Sequence, residues 1–240
     1  MNYVNRLAIA SILIIGTSGC HSLQPTDLSS APAQPVTAAI ATDTSTPDTA
    51  EVQIGLGRMY EKQGSHQAAM KAYTAALRHT SDHPDAHWRL GVIYDELGDF
   101  SSAEQSFRKS LAANPGNADC LCDYGYSLYL QTRWQDAEDA LLKALAIDRY
   151  HRRSHNILGI IKTRQNLLRE AHQHFQQAGC TNAECEENIA FAMILDNRLE
   201  QARNHYERAL RLNPQSTKSQ KNLDLLSTEI AKHSPSKSMP

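Results

Sequence analysis

Apolar and small residues return along this chain at a near-constant interval. Leu56-Gly57-x2-Tyr60, Leu90-Gly91-x2-Tyr94, Tyr124-Gly125-x2-Leu128, Leu158-Gly159-x2-Lys162 and Ile189-Ala190-x2-Met193 are each followed by an alanine, at Ala69, Ala103, Ala137, Ala171 and Ala202. With Leu223 as a sixth first member, the steps are 34, 34, 34, 31 and 34 residues. That is the length of a helix-turn-helix unit, which cannot bury its apolar face alone and must stack on its neighbours. Tyr73, Phe107, Leu141, Phe175 and Tyr206 stand four residues after each alanine, one turn further along a second helix. Bulky residues there and Gly or Ala in the first helix let two backbones approach closely while the space between them is filled.

The spacing therefore predicts five helical hairpins, over about residues 50–83, 84–117, 118–151, 152–182 and 183–216. A last amphipathic helix is expected over 217–232, with Leu223, Leu226 and Ile230 on one face. Between the helices of the hairpins stand Gly64, Gly98, Thr132, Asn166 and Asn197. All but Thr132 are residue types that tolerate the left-handed conformation ending a helix. Asn114-Pro115 and Asn213-Pro214 mark places where a second helix stops. Thr181 and Glu184 read as a capping box at the start of the fifth hairpin.

Five copies of this pattern in phase resemble the tetratricopeptide (TPR) family over residues 50–232. The resemblance implies an all-α, right-handed TPR solenoid of five helix-turn-helix repeats plus a C-terminal capping helix that shields the last repeat. It also implies that the first helix of each repeat lines the concave side. In that register Trp88, Val92, Tyr126, Tyr129, Ile160, Phe191 and Ile194 form an apolar stripe from the second repeat to the fifth. Such a groove suits the apolar face of a helix or alternate side chains of an extended peptide. Trp88, Tyr126 and Tyr129 are read as partner anchors, whereas for Val92 and Ile160 burial between neighbouring helices is an equally open reading. Asp85, Asp95, Glu96, Asp119 and Asp123 are read as a solvated rim, with selection of a basic partner as the alternative.

The N-terminus carries Arg6, an apolar run from Leu7 to Ile15, and Gly16-Thr17-Ser18-Gly19-Cys20. That run is too short to span a bilayer and reads as a signal peptide over 1–19. Small residues ahead of Cys20 resemble the cleavage site of bacterial lipoproteins, which implies a lipidated Cys20; an ordinary secretory signal is the other reading. His21, where the resemblance associates aspartate with inner-membrane retention, favours the outer membrane and a periplasm-facing protein. Residues 20–49 hold four prolines with many Ser, Thr and Ala, a composition expected to be a disordered tether reaching on the order of 30 Å. Residues 233–240 read as a disordered tail.

Four cysteines remain beyond Cys20. The capping box puts Cys180 and Cys185 at positions whose side chains meet across a helix start, so a Cys180–Cys185 disulfide is expected. Cys120 and Cys122, two apart on a helix, are read as buried or free thiols. The eleven histidines do not group with ligand spacing, and no metal or other cofactor is expected. Neither a phosphate-binding glycine loop nor a nucleophile elbow is present. A net charge of −2, without a basic cluster, gives no nucleic-acid footprint, and no small-molecule substrate is expected.

These features together resemble the TPR lipoproteins of Tad/Flp-type pilus assembly, the type IV pilus pilotins and the TPR lipoproteins that scaffold peptidoglycan enzymes and proteases. They imply a non-catalytic protein-protein adaptor of the cell envelope, anchored to the membrane at Cys20, with a pilus or secretion component as partner. The alternative is a periplasmic metal- or thiol-handling protein using the Cys/His-rich edge of the repeats.

Overall fold

The structure, a computed structural model, describes residues 49–233. The expected signal peptide, Cys20, the expected tether up to residue 48 and the expected tail from 234 lie outside the described residues. Among the described residues there are eleven helices and no strand. They fall into two compact units, residues 49–133 and 134–233.

The first unit holds α1 (Ala50–Lys62), α2 (His66–His79), α3 (Pro84–Glu96), α4 (Phe100–Ala113) and α5 (Ala118–Leu130). In the second are α6 (Trp134–Ile147), α7 (Arg152–Arg164), α8 (Leu168–Gln177), α9 (Asn182–Leu195), α10 (Leu199–Leu212) and α11 (Thr217–His233). Every helix coincides with one predicted from the spacing, and α11 takes the place of the expected capping helix.

All five hairpin turns are built alike. Gly64, Gly98, Thr132, Asn166 and Asn197 all have positive φ, between 60° and 78°. At each, the left-handed residue donates its N–H three residues back and the next residue donates five back, as in Asn166 to Thr163 O (3.0 Å) and Leu167 to Lys162 O (2.9 Å). The last carbonyls of the first helix are thereby satisfied before the chain reverses. Thr132, a β-branched residue, adopts the same conformation at φ 63°, where its Cβ is strained.

The predicted ring-over-glycine packing holds α1 to α2, α3 to α4 and α7 to α8. A Cβ on Gly91 would lie 2.9 Å from the Phe107 ring and one on Gly159 2.6 Å from that of Phe175; Gly57 is covered likewise by Tyr73. The 31-residue step has a definite location. α8 has 10 residues where α2, α4, α6 and α10 have 14, so one helical turn is missing from its C-terminal end. Gly179, at φ 93°, stops α8 early, and the Arg152 guanidinium donates to Ala178 O (2.7 Å) there. The capping box of Thr181 and Glu184 then opens α9 directly.

α11 is fastened by polar groups as much as by Leu226. The buried carboxylate of Glu187 on α9 accepts hydrogen bonds from Ser216 (3.0 Å), Ser219 and Lys218 (2.9 Å). Ser216 in turn caps α11 by accepting from Ser219 N (3.1 Å). Burial pushes the Glu187 carboxyl up, but these donors and the Lys218 charge outweigh it and hold the group below the usual carboxylate range.

Candidate partner-binding face

In residues 49–133 the predicted stripe occupies α3 and α5. Trp88 and Val92 are half-buried, packed on a core of Ala103, Phe107 and Cys120. The Trp88 indole N–H donates to Asp123 Oδ2 at 2.8 Å, and the Arg89 guanidinium carbon lies 5.6 Å from the centre of the indole ring. Tyr126 is half-buried and stacks on Tyr129 with ring centres 6.2 Å apart. Trp88, Val92 and Tyr126 are thus held firmly with part of each still accessible, the condition an anchoring side chain needs.

Tyr129 is a correction to the sequence reading. At 7% exposure it belongs to the interior, supporting Tyr126 instead of presenting itself.

The acidic residues around this face are only in part a solvated rim. Asp85 takes Arg58 at 2.6 Å, and Glu61 takes the Arg89 guanidinium (2.8 Å) and the Tyr73 hydroxyl (3.0 Å). Asp95 is half-buried; burial raises its carboxyl, and the Asp123 charge adds to that against a hydrogen bond from Ser127. Its Oδ1 is screened from solvent without a hydrogen-bond partner. This polar ladder across α1, α3 and α5 was missed because its pairs join different helices, most of them about one repeat apart, a distance at which charge patterning along a single helix carries no signal.

Within residues 134–233 the predicted stripe consists of Ile160, Phe191 and Ile194. Ile160 (4% exposed) and Ile194 (3%) are core residues, the second correction to the stripe; only Phe191 is half-buried. Residues further along the same helices are polar and engaged. Arg164 pairs with Asp196 at 2.8 Å and lies 4.0 Å over the Trp134 ring. Arg198 donates to Thr163 O (3.1 Å) and Asn166 Oδ1 (2.9 Å), tying the α9–α10 turn to the end of α7.

The expected Cys180–Cys185 disulfide is not formed, since Cys185 is a free, buried thiol. Its Sγ turns toward the carbonyl oxygens of His172 and Cys180, both at 3.9 Å, while Cys180 Sγ accepts from Asn188 Nδ2 at 3.3 Å. Neighbouring Cα positions do not fix side-chain direction, and these two sulfurs face different partners. Cys120 and Cys122 are buried, as read from their spacing. Burial pushes the Cys120 and Cys185 thiols up to about 12, which disfavours the nucleophilic thiolate.

His87 and His155, two repeats apart, do the same structural work, their Nε2 atoms meeting Ser81 O (2.9 Å) and Arg149 O (3.1 Å). His155 Nδ1 also lies 2.9 Å from His174 Nδ1. Among the described residues no three His, Cys, Asp or Glu side chains gather as metal ligands would.

The sequence model of the tetratricopeptide repeat matches residues 36–82, 70–118 and 94–152. The fold of this chain is that of the tetratricopeptide repeat. It is similar to the type IV pilus assembly protein PilF of Pseudomonas aeruginosa, at 27% identity over 175 residues, covering 72% of this chain and 65% of that protein's length. Solved TPR structures superpose on it. One, from a functional characterization of Pseudomonas aeruginosa pilF, has a TM-score of 0.55 at 23% identity, covering 76% of this chain and 89% of that one. Another, YrrB, described as a TPR protein with an unusual peptide-binding site, has a TM-score of 0.54 at 19% identity, covering 70% and 89%. At those identities the superpositions establish the TPR fold alone.

Proposed function

We propose that this TPR chain is a non-catalytic scaffold of the cell envelope that serves assembly of a type IV pilus or a related secretion apparatus. The observation that carries the proposal is the similarity to a type IV pilus assembly protein along 72% of the chain. A partner's helix or peptide is taken up on the first-helix face of residues 49–133, where Trp88, Val92 and Tyr126 are fixed and partly accessible. Phe191 offers a second, smaller apolar contact in residues 134–233. Anchorage is assigned to a lipid on Cys20 after removal of residues 1–19, which places the repeats on the periplasmic side of the outer membrane. No helix among the described residues is long and apolar enough to cross a membrane.

The test uses the full-length chain in its own cell. Trp88→Ala with Tyr126→Ala abolishes recovery of the pilus or secretion component and assembly of the surface filament, while far-UV circular dichroism stays unchanged. Retention of both partner and filament overturns the binding assignment. Separately, Cys20→Ser abolishes incorporation of labelled palmitate and releases the protein from the membrane fraction; continued labelling excludes Cys20 as the lipid site.

A further inference from the structure

Two hairpins within residues 134–233 carry a titrating pair at the same place. In the fourth, His155 of α7 meets His174 of α8, Nδ1 to Nδ1 at 2.9 Å; in the fifth, Glu186 of α9 meets His205 of α10, Oε2 to Nδ1 at 2.6 Å. Both pairs span 19 residues, and both begin three residues before the central Leu158 or Ile189 of their first helix. The corresponding residues are Gln53 and Ala72 in the first hairpin, His87 and Ser106 in the second, and Leu121 and Ala140 in the third. One place in the repeat is thus taken by two bases in the fourth hairpin and by an acid and a base in the fifth.

The two pairs answer acid with opposite signs. Arg149 O, a pure acceptor, lies 3.1 Å from His155 Nε2, which therefore carries a hydrogen. A neutral His155 then offers a bare Nδ1, and His174 Nδ1–H donates to it. One added proton leaves a single N–H between the rings, but a second sets N–H against N–H and two cations in contact. Burial first, then His155 and Lys162, hold the His174 imidazole below its ordinary value, against the carboxylates of Glu170 and of Glu138 on α6. α9, which also packs on α8, turns its acids elsewhere: Glu184 to Thr181 N, Glu186 to His205 and Glu187 to Lys218. In the unfolded chain an imidazole takes its proton near pH ~6.5, so the His155–His174 contribution is whole above that value and is lost as pH falls toward the lower folded one. At Glu186 burial pushes the carboxyl up, but the His205 hydrogen bond and charge, with the charges of Arg208 and His172, outweigh it and hold the group below the usual carboxylate range. A proton on His205 strengthens that pair.

We propose that the His155–His174 contact is an acid-released latch on the fourth hairpin: protonation of both rings frees α8 from α7, while Glu186 and His205 keep α9 and α10 joined. α8 is the element fitted to such release, because it is a turn shorter than the other second helices and ends at Gly179, so less surface holds it in place. The latch concerns the repeats alone and operates whatever partner they bind.

The test uses the full chain without any partner. Between about pH 7.5 and about pH 5.5, on either side of the unfolded imidazole value, amide hydrogen exchange corrected for its intrinsic pH dependence shows α8 losing about tenfold in protection and α10 less than about twofold. His174→Gln keeps an N–H donor for His155 Nδ1 but takes up no proton, and its α8 protection is the same at both pH values within about twofold. Ring-nitrogen NMR of the native chain supplies a readout that needs no variant: at about pH 5.5, where a free imidazole is mostly charged, His174 of the closed hairpin still lacks its second N–H. The proposal is overturned if α8 protection in the native chain does not fall, if His174→Gln retains the fall, if α10 opens as far as α8, or if His174 ionises as a free imidazole does while α8 stays protected.

Discussion

At Gly159 the Phe175 ring occupies the place of a side chain, so Gly159→Ala forces the ring or the helix pair to move. Overpacking of this kind destabilises by about 2 kcal/mol, measured by urea unfolding, and Phe175→Leu in the same chain recovers most of the loss. Thr132 sits at the opposite kind of site, exposed and left-handed. Thr132→Asn places there the residue found at the turns of the two following repeats and is expected to stabilise by about 1 kcal/mol, read as a higher urea midpoint. Both positions were legible in the sequence, the first as a small residue paired with a ring at fixed spacing, the second as the odd residue among five turn positions. The Cys180–Cys185 pairing shows the limit of that legibility. Sequence distance and a helix start suggested that the two sulfurs would meet, whereas Cys185 is a free thiol whose Sγ turns toward the carbonyl oxygens of His172 and Cys180, which no local pattern announces.

Among elements, α7 and α11 depart furthest from what periodicity alone implies. Lys162 replaces the aromatic residue of the first two repeats, yet its ammonium is seated between Glu138 at 2.6 Å and Glu170 at 3.5 Å and is mostly buried. A polar group at a core position is tolerated because its partners come from α6 and α8. Ile160 and Ile194 were misplaced for a related reason: the groove and the seam between helices share one helical period, so spacing cannot separate them. The attachment of α11 rests on Glu187, and its pH dependence follows from the sign of the shift. Because the carboxyl is held below its ordinary value in the folded chain, its contribution is fully present above the unfolded carboxylate pKa and is lost as pH falls through the lower folded value. Glu187→Gln removes that dependence and weakens α11 by about 2 kcal/mol at neutral pH. Acid titration followed by hydrogen exchange of the α11 amides reads both effects. The expected pattern is early loss of protection in the native chain and a flat profile in the variant.

For the molecule as a whole, the order of elements and the fold were readable because a repeated pattern votes many times for the same register, so that single departures do not alter it. What the repeats do was less readable. Tyr129 and Trp88 look alike in sequence, but one is enclosed and the other half-open, and that difference is made by neighbouring helices. The same nearest-neighbour organisation governs how stability spreads through a repeat array. Cys120 in residues 49–133 and Cys185 in residues 134–233 are buried free thiols raised to about 12. Both are therefore slow toward an aromatic disulfide reagent at neutral pH until the surrounding helices open. Loosening the C-terminal end with Glu187→Gln is expected to speed modification of Cys185, on the same helix, by about tenfold while changing Cys120 by less than about twofold. Peptide mapping after timed quenching distinguishes the two sites. Equal acceleration of both would mean that the chain opens only as one cooperative body, and the nearest-neighbour description would then fail for it.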